Sequence, residues 1–195
     1  MLGSTQPDDV VDRQRAEGAG VEVTRRASGG GAVLVVPGEL LWADVFVARD
    51  DPRWEADVGR SFHWLGEAWA GALGDLGVAA GWHAGPFRPS PWSRLVCFAG
   101  LGPGEVATGG RKVVGMSQRR TRDGSLFSCA ALLAWAPAPL LDVLALEQEA
   151  RRRGTEDLVH AAAAVPCAAA DLVEAFTRRA GPGRPGPPHR RQPRP

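Results

Sequence analysis

The order of elements legible in this 195-residue chain predicts an α+β domain, with helices packed on a mixed or antiparallel sheet. Three observations carry that expectation. Val58, Phe62, Leu65, Trp69, Leu73 and Leu76 recur every three or four residues, the apolar stripe of an amphipathic helix. Asp123-Gly124 separates two β-type runs, 112–121 and 125–135, as a hairpin turn does. Pro137 and Pro139 then open an Ala- and Leu-rich region in which helical patterns dominate.

Taken in order, 21–27 alternates as a strand, Ser28-Gly29-Gly30-Gly31 interrupts it, and 32–36 resumes as a buried β run closed by Pro37-Gly38. The segment 41–48 follows as a strand that can pair with 32–36 in a hairpin. Asp57 is placed to cap the helix and Gly77 to end it. His63 stands at the margin of the stripe, and 81–91 reads as loop. Residues 94–98 suggest a short apolar strand, 105–108 another, and Gly109-Gly110 a second hairpin turn. Helices are expected from Pro137 through Leu146, over 155–164 and over 166–178.

Composition excludes several classes of function. The segment 178–195 holds six Arg, six Pro and three Gly without an acid, so the net charge of +1 conceals a body near −5. No broad basic face for nucleic acid is implied, and the Pro-rich end, taken from residue 179, is expected to be a disordered tail. No apolar run approaches the roughly 18 residues of a membrane span, and no leader-type apolar region follows Met1. Cys97, Cys129 and Cys167 are odd in number and lack CxxC spacing, so a reduced, cytoplasmic chain is expected. The four histidines form no metal-binding pattern, and no metal site is expected.

Two segments carry chemistry. In Arg25-Arg26-Ala27-Ser28-Gly29-Gly30-Gly31-Ala32-Val33, successive glycines let backbone N–H groups converge on an anion, and the arginines are charged donors suited to phosphate or carboxylate. The same pattern also describes a plain glycine turn. Lys112, in Gly110-Arg111-Lys112-Val113-Val114-Gly115, is the only lysine of the chain; all its other basic side chains are arginines. An ammonium is a compact point charge on a flexible stem, whereas a guanidinium is a wide fork. On a regular strand Lys112 shares a face with Val114 while Val113 faces the other way, leaving Lys112 to snorkel at an edge or reach into a cavity. Gln118, Arg119, Arg120 and Arg122 fit a solvated edge.

Together the two segments resemble the lipoate–protein ligase family, whose catalytic domain is related to those of biotin–protein ligases and octanoyltransferases. The family's Arg-Arg-x-Ser-Gly-Gly-Gly-Ala-Val is matched at every specified position by Arg25 to Val33. Its Gly-[Arg/Lys]-Lys-[Val/Ile]-x-Gly-Ser-Ala-Gln-x-Arg is matched by Gly110 to Arg120, except mainly at Met116-Ser117. The segments lie roughly 80 residues apart with an amphipathic helix between them, as in the family. The resemblance covers residues 1 to about 178 and implies a class II biotin/lipoate ligase-like catalytic domain.

It further implies an enzyme that activates lipoate or octanoate with ATP (and Mg) as an acyl-adenylate and passes the acyl group to a lysine of a lipoyl carrier domain. That carrier would belong to a 2-oxoacid dehydrogenase or a glycine-cleavage protein. Lys112 would bond the substrate carbonyl and phosphate oxygens, while Arg26, Ser28, Gly29, Gly30, Gly31, Ala32, Val33, Leu34 and Gly115 would line the adenylate and acyl pocket. Departures are expected to matter. Leu34-Val35-Val36-Pro37 stands where ligases often carry His-Asp, and Phe127-Ser128-Cys129-Ala130 where a His-Gly-[Thr/Ser] segment is usual. Leu2-Gly3-Ser4-Thr5-Gln6 resembles the family's motif after its first helix and strand, so an N-terminal helix and strand are expected to be missing, with the true start upstream of Met1. The family's C-terminal accessory domain is expected to be missing too, as in members that lack it or carry it on a separate chain. In the octanoyltransferase branch a cysteine some 15 residues before the lysine forms a thioester without ATP, taking its acyl group from an acyl carrier protein; Cys97 holds that position. A third reading is a non-catalytic protein that binds a lipoyl ligand or carrier.

Overall fold

The computed structural model describes residues 1–181; the basic tail expected beyond α-helical 178 lies, from residue 182 on, outside the described residues. Five strands form one antiparallel sheet in the order β1-β5-β4-β3-β2: β1 (Leu40–Ala48), β2 (Gly81–Trp82), β3 (Val106–Thr108), β4 (Arg111–Arg120) and β5 (Gly124–Leu132). The α+β expectation holds, and the sheet is antiparallel throughout. Helices α1 (Arg13–Gly18), α2 (His63–Asp75), α3 (Ala138–Val143), α4 (Gln148–Leu158) and α5 (Ala169–Ala180) complete the fold. No helix among the described residues is long and apolar enough to cross a membrane.

Alternation of side chains sorts the sheet into two cores. Val47 of β1 and Phe127, Cys129 and Ala131 of β5 face α2 and α5, where Trp69 stacks on Phe176 at 3.9 Å between ring centroids. Ala130 and Leu132 face the opposite side and meet Val33, Phe98 and Ala162. The stripe on α2 behaves as its spacing predicts for Leu65, Trp69 and Leu73, all buried, whereas Val58 lies before the helix and is exposed. Asp57 caps this entry by accepting the Arg60 N–H at 2.8 Å, and Gly77 ends the helix with a φ of 76° that a side chain would resist. His63 packs against Trp82 at the helix margin.

Several local expectations are corrected. Segment 32–36 forms no hairpin with β1; β1 pairs with β5, and Ala32 bridges Val96 in parallel. Segment 21–27 makes only the Leu2–Arg25 bridge. Residues 155–164 are not one helix. Helix α4 ends at Leu158, and the Ala-rich stretch after it instead pairs with the start of β4, Ala162 bridging Lys112. Backbone pairing overrides the high helix propensity of alanine there.

The most consequential correction is a β-bulge. Val106 pairs with Val114 but Ala107 pairs with Lys112, so Val113 is the extra residue of β4. The bulge breaks the alternation expected of Lys112, Val113 and Val114. Both valines bury in the core under α2 and α5, while the Lys112 side chain lies over Gly115 on the other face.

Helix α5 is tied to the end of α2 by an ion pair between Arg179 and Asp75. The Arg179 hydrogen bond holds the Asp75 carboxyl below the usual carboxylate range. A depressed native pKa contributes stability that is present above the unfolded value, about 3.9, and lost as pH falls through the native value. Asp75→Asn should therefore lower the thermal midpoint at pH 7, and the gap to wild type should close as the pH drops below that range. Melting curves across pH 2–7 check this.

Candidate active site

Lys112 is buried, and its ammonium has three acceptors for its three protons. It donates to the Cys97 carbonyl at 3.0 Å and the Gly100 carbonyl at 3.1 Å, and pairs with Glu105 Oε1 at 2.7 Å. The Phe98 ring lies below at 5.1 Å. The carboxylate is equally well held: Oε1 accepts the Met116 N–H at 3.0 Å and Oε2 the Gly102 N–H at 2.6 Å. Lysine and glutamate side chains are 4% and 7% exposed, so each charge depends on the other. Removing one partner of such a pair typically costs about 3–5 kcal/mol. Gly115 makes room, since a Cβ there would stand 3.1 Å from Lys112 Cε.

The glycine loop forms the facing wall. Gly30 has a φ of 100°, and a Cβ on Gly31 would fall 2.6 Å from the Val96 carbonyl carbon. Backbone bonds stitch the two segments together, Ala32 N–H to the Leu95 carbonyl at 2.7 Å and Cys97 N–H to the Ala32 carbonyl at 2.9 Å. Ser28, buried, shares a 2.8 Å hydroxyl bond with Ser117 of β4. Leu2, Gly3 and Ser4 brace the loop from outside: Arg26 N–H donates to Leu2 and Ser4 N–H to Ser28.

The arginines serve mainly the loop itself. Arg25 donates to the Gly3 and Gln6 carbonyls at 2.7 and 2.6 Å and pairs with Asp8. Arg26 Nη2 donates to the Gly29 and Gly31 carbonyls at 2.7 and 2.9 Å, while its Nη1 is buried without a partner. Gln118 Nε2 is likewise buried and unpartnered. Arg120, expected at a solvated edge, donates to the Glu55, Ala56 and Asp57 carbonyls and pins that loop.

Between these walls lies a cavity of about 260 Å³ lined by Gly29, Gly30, Gly31, Cys97, Lys112 and Gln118, with Glu105, Phe62, Phe87 and Met116 beside them. The structure thus brings Gly29–Gly31, Cys97 and Lys112 to one place. Ala32 and Val33 are buried behind the loop, and Leu34 faces away. With Val35, Val36 and Pro37, Leu34 lines a separate groove of about 1050 Å³ beside α1 and α3. Cys97 opens a 3-10 turn, Cys97–Ala99, rather than sitting in the expected strand, and is half-buried. Phe127 and Cys129 are buried on β5, and Ser128 donates to Asp44 at 2.7 Å. No cluster of metal-ligating side chains occurs among the described residues. Glu105 was not among the sequence candidates; its only signal is an acid directly after Gly102-Pro103-Gly104, which reads as an ordinary turn charge.

The lipoyl protein ligase A/B catalytic domain family matches residues 1–165. The chain belongs to that family. A search of curated sequences finds no match. Among solved structures the fold is similar to a bipartite lipoate protein ligase from Thermoplasma acidophilum, described with its E2 lipoyl domain, with 22% identity and a TM-score of 0.71. That similarity covers 91% of this chain and 64% of the other. A lipoate-protein ligase A bound with ATP gives 22% identity, a TM-score of 0.64 and coverage of 91% and 65%. A second T. acidophilum structure, a putative lipoate protein ligase with bound lipoic acid, gives the same values. The chain therefore spans just under two thirds of the length of these relatives, and the likeness establishes the lipoate ligase catalytic-domain fold.

Gly31→Ala should drive a methyl group into the Val96–Cys97 backbone and cost about 1–3 kcal/mol or more. Gly29→Ala meets open space and should change stability by about 0.5 kcal/mol or less. Urea unfolding of the two variants checks the contrast. Burial pushes the Cys129 thiol up to about 12, so no thiolate forms there near neutrality. Brief alkylation of the native protein at pH 8 should label Cys97 ahead of Cys129, as peptide mass spectrometry would show.

Proposed function

We propose that this chain is the catalytic domain of a lipoate–protein ligase that activates lipoate or octanoate with ATP and transfers the acyl group to a lipoyl carrier lysine. The carrying observation is the convergence of the glycine loop and Lys112 on one cavity. Support for an anionic, nucleotide-activated intermediate comes from the donor set. Gly29 leaves open space for a ligand's approach, and Arg26 Nη1 and Gln118 Nε2 are buried donors without acceptors. Buried donors left unmatched cost free energy, so such groups fit a site completed by a ligand. ATP, with Mg, would supply the leaving group that makes the carboxylate reactive.

This chain's residues would then do three things. The glycine N–H groups and Arg26 hold the phosphate charge, and Lys112 bonds the acyl carbonyl as charge develops on it. Phe62, Phe87 and Met116 give the apolar contact that a medium acyl chain needs, and help keep water from the reacting carbon. A lipoyl domain of a 2-oxoacid dehydrogenase or glycine-cleavage protein is the acceptor in this reading, in keeping with the E2 lipoyl domain described with the archaeal relative. The setting is cytoplasmic.

One observation favours a second reading. Cys97 lines the same cavity as Lys112, where a thioester route would need it. The Lys112 ammonium is already balanced by Glu105, however, so it brings no net positive charge to a Cys97 thiolate.

The readings separate in one assay: protein, octanoate or lipoate, ATP and apo carrier domain are mixed, and the carrier mass is followed. Acylation that requires ATP and survives Cys97→Ala is the expected result. Transfer from octanoyl-acyl carrier protein without ATP, lost in Cys97→Ala, would replace it with the thioester route. Lys112→Arg should lose roughly tenfold or more in rate, because a guanidinium cannot place one compact charge among three convergent acceptors. Full activity in that variant would refute the role given to the lysine.

A further inference from the structure

Lys112 has no spare proton. All three of its N–H bonds are taken, two by carbonyls of the Cys97–Gly100 turn and one by Glu105. A lysine that is to bond a substrate oxygen must therefore release one of these partners. The three are not equivalent. The carboxylate contact joins two opposite charges and is the shortest, at 2.7 Å, whereas the carbonyl contacts set the ammonium against uncharged acceptors and are longer, at 3.0 and 3.1 Å. Glu105 is itself immobilised, because its oxygens accept the Gly102 and Met116 N–H groups, from a turn on one side and from β4 on the other.

We propose that Glu105 is the positioning residue for Lys112: it holds the ammonium at the cavity wall, and a ligand oxygen enters by replacing a Cys97 or Gly100 carbonyl, not the carboxylate. This rests on reading the cavity as an acyl-transfer site. Three features of the chain favour that division of labour. The backbone of Lys112 is bonded through both its N–H and its carbonyl to the 161–163 segment and stands opposite Ala107 of β3, so the base of the side chain does not shift. Gly115 lets the stem lie flat toward Glu105. Cys97, which opens the 97–100 turn, lines the cavity as Glu105 does, but its carbonyl is an uncharged acceptor, so a ligand oxygen can take its place without separating an ion pair. Glu105 touches neither substrate nor reacting atoms in this arrangement; it acts through the lysine.

Because the chain has one lysine, ¹⁵N-lysine labelling yields a single ammonium signal, a readout independent of activity. In the wild type that signal should be protected from solvent exchange near neutral pH, and Lys112 should resist acetylation by a succinimidyl ester. Glu105→Gln, checked for folding by its melting curve, should lose the protection and become acetylated. Its kcat should fall roughly tenfold or more while KM for the acyl acid stays within about threefold. Glu105→Asp, which keeps the charge on a shorter stem, should recover part of kcat. The proposal is overturned if folded Glu105→Gln keeps wild-type kcat, or if its lysine stays protected. Should Glu105→Gln fail to fold, the wild type decides: a Lys112 acetylated as fast as a free amine overturns the proposal, and a resistant one together with partial activity in Glu105→Asp supports it. A wild type that acylates no carrier overturns the ligase reading by itself, recognisable because the ammonium signal can still be protected in that case.

Discussion

Burying one ammonium organises much of this domain. A charge taken out of water needs a countercharge and a full set of acceptors, or it would be expelled or neutralised. Here the countercharge is Glu105 and the remaining acceptors are two carbonyls of a turn. Meeting that need requires a β-bulge to turn Lys112 away from the helix-side core, a glycine at 115 to admit its stem, and a turn at 97–100 whose carbonyls point inward. A guanidinium would not satisfy this geometry. Its donors lie in one plane, whereas the three acceptors surround a single nitrogen. That is a physical reason for one lysine in a chain that otherwise uses arginine throughout.

The glycine loop is shaped by the same closeness. Gly31 touches the Val96–Cys97 backbone, and a Cβ on Gly3 would overlap the Gly30 carbonyl, so the loop is pressed between the N-terminal segment and the turn that holds the lysine. This changes the meaning of the paired arginines. Their sequence pattern suggests two phosphate donors, yet Arg25 is consumed by the Gly3 and Gln6 carbonyls and Asp8. Arg26 gives one nitrogen to the loop and keeps one. Arg25 is a strut, and Arg26 is both strut and donor.

What was legible in the sequence follows from what is local. Gly109-Gly110 identifies its hairpin because that turn needs the positive φ that glycine supplies, Asp123-Gly124 marks the β4–β5 connection although Gly124 itself opens β5, and the apolar stripe identifies α2. The two signatures lie on one cavity in the fold, the glycines of the loop facing Lys112. The bulge was not legible, since no residue type marks Val113 as the extra one. Glu105 was hidden for a related reason: its partners, Lys112 and the Met116 N–H, come from a neighbouring strand. Helix α4 was misplaced because its buried residues are few and its surface is held by charge, Arg152 pairing with Glu149 and Glu156. Apolar periodicity is silent on such a helix.

The charge balance of the site bears on which acyl chemistry it suits. Lys112 and Glu105 cancel, leaving the Arg26 guanidinium, which has no carboxylate partner among the described residues, as the surplus charge on the loop. In the proposed ligase reading, this charge and the glycine-loop N–H groups would balance the phosphate of an acyl-adenylate. The proposed alternative, a thioester route, would instead draw on a cation beside the sulfur, and the Lys112 ammonium is already paired with Glu105. Cys97 is held instead through its backbone, its N–H by the Ala32 carbonyl and its own carbonyl by Lys112. Its peptide groups link the glycine loop to the lysine, a role that any side chain at position 97 would leave intact.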